Sequence, residues 1–204
     1  MSVFSLMLRG GILMYLLVLI SIAVIAIVLE KYRQIVKVRK GNKTLLDALC
    51  NLNDSDELKS ALAAEVQSSP LKVMLDKLFN AQTDEDALIN QSMEAAAQAE
   101  LHKMEKGLGW LSTFAAIAPL IGFLGTVIGM VRVFMTIQTH SSGGVDISLL
   151  AGGIWEALLT TVGGLIVGIV AIIFYNDIVQ NLEDIVKTMQ ESAVEYTIRI
   201  RKTR

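Results

Sequence analysis

Cysteine, histidine and proline are scarce in this chain of 204 residues, and positive charge is not in excess. The single cysteine, Cys50, excludes an internal disulfide framework and any cysteine-rich metal site. The two histidines, His102 and His140, lie far apart with no partner ligands at metal spacing, so no metal site is expected. Lys and Arg number 18 against 20 Asp and Glu, a formal net charge of -2, which leaves no electrostatic footprint for nucleic acid. A GxxxxGKS/T phosphate loop is missing, so ATP is not the expected energy source. Ser112 and His140 fit no nucleophile–base motif. These gaps argue against an enzyme and against a bound cofactor.

What the chain has in abundance is apolar surface: 53% of its residues are hydrophobic and its mean hydropathy is +0.54. Gly10 to Leu29 is a run of 20 residues without a charge, Gly107 to Val131 one of 25, and Ala157 to Asn176 another of 20. Extended back to Ile147, the third run becomes 30 residues interrupted by Glu156 alone. At a rise of about 1.5 Å per residue, about 20 residues cross a hydrocarbon core about 30 Å thick. Arg9 precedes the first run as it would in a signal peptide. That run exceeds the usual h-region of about 7–15 residues, and Val28-Leu29-Glu30 is no small-residue cleavage site, so the helix is expected to be retained. The expected fold is an all-α integral membrane protein with three transmembrane helices and long cytoplasmic helical extensions.

Orientation follows from the cations. Glu30 to Lys106 holds eleven Lys and Arg, Asp177 to Arg204 holds five, and Arg9 and Arg132 alone remain elsewhere. By the positive-inside rule the two rich segments face the cytoplasm. The expected layout is an external N-terminus (1–9), a first span (10–29), a cytoplasmic region (30–106), a second span (107–133), an external loop (134–146), a third span (147–176) and a cytoplasmic tail (177–204). Both cytoplasmic segments read as helical. Ser69-Pro70 pairs an N-cap hydroxyl with proline at the first helical position, and Thr83 precedes Asp84, Glu85 and Asp86. Asp177 to Arg204 lacks Gly and Pro, and Ile185, Met189, Val194 and Ile198 suggest a stripe for helix packing. Cys50, on the cytoplasmic side, is expected to be a reduced packing residue.

Inside the spans, small residues and hydroxyls stand out. Gly122, Gly125 and Gly129 follow Pro119 on the second span, and Gly164 and Gly168 repeat the GxxxG spacing on the third. Glycine lets helix backbones approach closely in lipid, so these helices are expected to be surrounded by protein and joined to other copies, with Gly125→Leu disruptive. Pro119 is expected to kink its helix, freeing a carbonyl that a neighbour or water satisfies. The first span is nearly all bulky aliphatics, so it is expected to face lipid and to tolerate Leu17→Phe. Glu156 is an acid within a span, which costs about 2.5–3.5 kcal/mol at mid-depth on insertion scales. At about 100° per residue Thr160 shares its face, whereas Thr161 lies on a second edge with Gly164 and Gly168. Such an acid beside hydroxyls marks an ion or substrate route. The bland alternative has Glu156 snorkelling or making a subunit contact, with both threonines bonding their own helix carbonyls.

Two stretches carry a resemblance. Ala118-Pro-Leu-Ile-Gly-Phe-Leu-Gly-Thr-Val-Ile-Gly129 and Gly152-Gly-Ile-Trp-Glu-Ala-Leu-Leu-Thr-Thr-Val-Gly-Gly-Leu-Ile-Val-Gly168, followed by Tyr175-Asn176, resemble the MotA/TolQ/ExbB proton-channel family, in its ExbB/TolQ branch. The resemblance implies a homo-oligomer, a pentamer, in the bacterial inner membrane with a periplasmic N-terminus and a cytoplasmic C-terminus. Its second and third helices would line a pore holding an ExbD- or TolR-like single-span partner, whose membrane Asp carries the proton. A TonB- or TolA-like protein would receive the work. Position by position, Thr126, Glu156 and Thr161 match the polar residues that face the pore in the family. Trp155 stands where the family has a small residue, and Thr160 adds a second hydroxyl beside Thr161. A self-contained ion or solute transporter would use Glu156 as its own coupling residue, though no internal repeat supports it. A membrane scaffold would use Glu156 and the threonines as subunit glue.

Overall fold

A computed structural model of the protein describes residues 11–50, 60, 62, 69–79, 86–139 and 147–203. Among the described residues the helices are α1 (Gly11–Leu49), α2 (Pro70–Phe79), α3 (Asp86–Glu105), α4 (Leu108–Thr139) and α5 (Ile147–Thr203). No strand occurs among the described residues. The apolar stretches of α1, α4 and α5 are each long enough to cross a membrane, so this is an all-helical, multi-pass membrane protein with three candidate spans. The expected external N-terminus, the Thr83 helix start and residues 140–146 of the expected outer loop, His140 included, lie outside the described residues. Residues 134–139, expected in that loop, instead continue α4. The reason is local. Thr139 donates its hydroxyl to the Thr136 carbonyl (3.1 Å), one of the last four carbonyls, which have no N–H partner within the helix.

The chain divides into two compact units. One holds the chain up to Leu29 with Gly107–Asn176, and the other Glu30–Lys106 with Asp177–Arg204. Each boundary falls where charge stops or resumes: Glu30, Lys106 and Asp177 are the charged residues at the ends of the apolar runs.

In the apolar unit, α4 buries Leu108, Leu111, Ala115, Ala118, Gly122 and Gly125 at alternating steps of three and four, which puts them on one face. This face meets Ala157, Thr160, Gly164 and Gly168 of α5 in an antiparallel register, residue 122 opposite 160–164 and residue 129 opposite 157. A Cβ on Gly164 would lie 2.5 Å from the Ala118 carbonyl oxygen and 2.9 Å from Gly122 Cα, so backbone meets backbone here. These glycines therefore join two helices of one chain. The segment of α1 in this unit is not simply lipid-facing. Leu17, Ile20, Val24 and Val28 are buried, and Met14 and Leu17 lie against Gly163. Aliphatic bulk is as compatible with a packed face as with lipid, and a spacing of three to four marks the packed one.

In the charged unit, Ser69 caps α2 through Lys72 N–H to its Oγ (3.2 Å), and Asn42 Oδ1 accepts from Leu71 N–H (3.4 Å). Lys31 is 5% exposed; its Nζ donates to the Met104 carbonyl (2.8 Å) at the end of α3 and to Gln34 Oε1 (3.0 Å). Burial pushes this ammonium below its ordinary pKa, with Glu30 pulling the other way. The buried stripe on α5 runs Ile178, Leu182, Ile185, Met189, Ala193 and Tyr196. Val194 and Ile198 are exposed, contrary to expectation, because five residues beyond Met189 is about 140° around the helix. Cys50 is exposed at the end of α1 and is not a core residue.

Candidate functional site

Arg132 and Glu156 are the lone full charges of Gly107–Val145 and Ile147–Asn176, and the antiparallel register brings them together. Arg132 Nη1 lies 3.8 Å from Glu156 Oε1. The same carboxylate oxygen occupies the space a side chain on Gly11 would need, at the first turn of α1. Gly11 itself has φ of 66°, a backbone conformation suited to glycine. Helix starts favour negative charge, so α1 and Arg132 act on the carboxylate in the same sense. A cleft of about 80 Å³ lies here, lined by Gly11, Gly125, Gly129, Arg132, Glu156 and Thr160 among others.

The three threonines separate. Thr160 is 2% exposed and shares this cleft, yet its hydroxyl donates to the Ala157 carbonyl (2.7 Å) and presses into the space that Gly125 leaves. Thr161 donates across the seam to the Gly122 carbonyl (2.8 Å), an interhelical bond at the closest approach of α4 and α5. Thr126 donates to the Phe123 carbonyl of its own helix (2.6 Å). Neither Thr126 nor Thr161 lines the cleft. A hydroxyl that donates to a carbonyl keeps its lone pairs, so all three can still accept a hydrogen bond. Pro119 sits with its ring against Gly168, and the carbonyl it frees, that of Ala115, lies 3.1 Å from where a Cβ on Gly168 would be.

Glu156 does not stand alone among hydroxyls: Arg132, whose charge the sequence assigns only to topology, lies beside it and offsets its charge. The signal was present: one cation and one anion in two neighbouring apolar runs, with GxxxG spacings that set the register. No group of three or more His, Cys, Asp or Glu able to hold a metal occurs among the described residues.

A helical unit of three candidate spans, packed through glycine and carrying the Arg132–Glu156 ion pair, defines a polytopic membrane protein built around a charged site in an apolar surround. Residues 53–191 match the MotA/TolQ/ExbB proton channel family, and the chain belongs to that family, whose members are not enzymes. It is 29% identical over 180 residues to an ExbB homologue of Methanothermobacter thermautotrophicus, covering 86% of this chain and 62% of that protein. It is 30% identical to the ExbB-like 1 protein of Synechocystis sp., covering 84% and 68%. The biopolymer transport protein ExbB of Neisseria meningitidis is 27% identical over 199 residues, covering 91% and 89%. The chain thus spans just under two thirds of the archaeal relative's length and nearly all of the neisserial one. It is an ExbB-like member of a proton channel family.

Proposed function

We propose that this chain is the channel subunit of an inner-membrane motor that uses the proton motive force to do mechanical work on a partner protein. The observation that carries the reading is the Arg132–Glu156 pair with Thr160, set in an apolar helical unit of a proton channel family member. In this reading the N-terminus is periplasmic and the charged unit cytoplasmic, as the sixteen-to-two distribution of cations favours. Several copies, five by resemblance to the family, enclose an ExbD- or TolR-like single-span partner bearing one membrane Asp. A TonB-like protein, or a TolA-like one, receives the work. The exposed apolar faces of α4 and α5, with Phe123, Val127, Leu158 and Ile166, supply surface for lipid, neighbouring copies and partner.

A proton crossing 100 mV releases about 2.3 kcal/mol, enough to bias a partner between neighbouring seats. The partner's carboxyl alternates between a protonated form in apolar surroundings and an ionised form beside polar ones. Glu156, Thr126 and Thr161, with Thr160 in reserve, are the polar groups that serve it. With their protons held by carbonyls 2.6 and 2.8 Å away, Thr126 and Thr161 offer lone pairs to the protonated acid or to water. Serving the ionised form requires each to turn away from its carbonyl. The test is co-purification with the single-span partner and reconstitution in liposomes containing a pH-sensitive dye. Proton uptake on imposing a potential is the expected result. A complex that assembles and carries no protons removes the channel reading, and full uptake by both Glu156→Ala and Thr161→Val removes the site.

A further inference from the structure

We propose that Arg132 is a positioning residue of this ion pathway: it holds the Glu156 carboxylate over the α4–α5 seam, where that carboxylate lines a small, mostly apolar cleft with room for water. The inference rests on the channel reading and adds to it a residue and a hydrated vestibule. Glu156 Oε1 is placed from two sides, by the guanidinium at 3.8 Å and by the space Gly11 leaves at the start of α1. Helix α5 alone would not fix it, since an acid at this depth in a span turns toward whatever polar group it reaches. With both residues ionised the pair carries no net charge, which lowers the cost of keeping a carboxylate among apolar residues.

The cleft of about 80 Å³ exceeds the space a single water needs, about 10–15 Å³ for a probe of that size, and waters require polar partners. Arg132, Glu156 and Thr160 provide them. The room that Gly11, Gly125 and Gly129 leave is taken up from α5: Glu156 Oε1 lies where a Cβ on Gly11 would be, Thr160 Oγ1 where one on Gly125 would be, and Ala157 Cβ where one on Gly129 would be, so a side chain at any of the three would displace the residues that line the cleft. Among the described residues lining the cleft, the other charged group facing Glu156 is Arg132, and Ile12 and Leu13 of α1 bring no titratable atom. Arg132 has a side chain 65% exposed, so it pairs through one edge while the other guanidinium donors remain available. The arrangement fits a vestibule in which water contacts a fixed charge pair.

The experiment uses the full complex with the single-span partner in vesicles of phosphatidylethanolamine and phosphatidylglycerol, comparing Arg132→Gln, Arg132→Lys, Arg132→Glu and the exchange Arg132→Glu/Glu156→Arg. Arg132→Gln is expected to lower proton flux about tenfold, the effect of about 1.4 kcal/mol on a barrier, with assembly unchanged. Arg132→Lys keeps a cation and is expected to retain most of the flux. Arg132→Glu is expected to abolish flux and the exchange to recover it in part, a rescue that simple filling of space would not produce. Wild-type flux in Arg132→Gln, or an exchange variant that assembles and stays as inactive as the single reversal, overturns the proposal. Should the wild-type complex carry no protons, the channel reading falls first. A double-mutant cycle of melting temperatures for Arg132→Gln and Glu156→Gln then judges the pairing alone, and additivity overturns it.

Discussion

The ring of Pro119 fills the space that Gly168 leaves by having no side chain: a Cβ at position 168 would lie 2.6 Å from Pro119 Cγ and 2.8 Å from Cδ. Proline, which disturbs its own helix, is thus accommodated by a glycine on the neighbouring one.

Gly168→Ala and Gly164→Ala are expected to lower the melting temperature in detergent sharply, since each new methyl group meets a proline ring or backbone. The cost is at least the roughly 1–3 kcal/mol typical of overpacking. Gly152→Ala and Gly109→Ala are the controls, because apart from the chain neighbours and the helix's own backbone no atom lies within 4 Å of a Cβ at either position. Both should be neutral or, by helix propensity, favourable by up to about 1 kcal/mol. Equal melting temperatures for all four variants would contradict the seam.

Leu17→Phe is expected to destabilise, because Leu17 is buried beside Gly163, whereas Leu19→Phe on the exposed face should be silent. Thermal melting of the two purified variants decides it, and the reverse order would return this part of α1 to lipid.

Reading the spans needed only charge-free runs long enough to cross a bilayer, and α1, α4 and α5 each carry one. Faces were harder. Periodicity says that one side of a helix is buried but not what covers it, so Leu17 read as lipid-facing and the glycines as contacts between copies. Close approach serves a helix of the same chain and one of another chain equally well, and the choice depends on register. The site was half legible for the same reason. Glu156 and the threonines drew notice as polar groups in an apolar run. Arg132, 24 positions upstream of Glu156, becomes its neighbour only once Gly129 is set against Ala157.

Thr161→Val removes the hydroxyl that joins α5 to the Gly122 carbonyl while keeping volume. The expected loss is about 1 kcal/mol of stability, since the carbonyl still has its helical partner. Assembly with the partner should survive and proton flux should fall. A variant with wild-type flux and a lower melting temperature would assign Thr161 to packing alone.

Tyr32 donates a hydrogen bond to Asp177, and that bond, then burial, then the nearby carboxylate charge raise its pKa above the usual 10.0. A raised folded-state value means the phenol holds its proton more tightly in the folded protein than in the unfolded one. Its contribution to stability is complete below pH about 10 and disappears as pH rises through the raised value. Ultraviolet titration of tyrosinate should therefore lose its late-titrating component in Tyr32→Phe. An unchanged titration curve at its alkaline end would mean the bond does not form.

The tight crossing of α4 and α5 also limits how this protein can vary. Every missense change of a glycine codon adds at least a Cβ, and at positions 122, 164 and 168 that atom falls within 3.0 Å of a neighbouring helix. These three residues therefore have no conservative neighbour in the genetic code. A random mutagenesis screen should recover them as loss-of-function positions whichever of the first two codon bases is altered, and second-site revertants of Gly168 changes should appear at Pro119, where a smaller residue would restore the room.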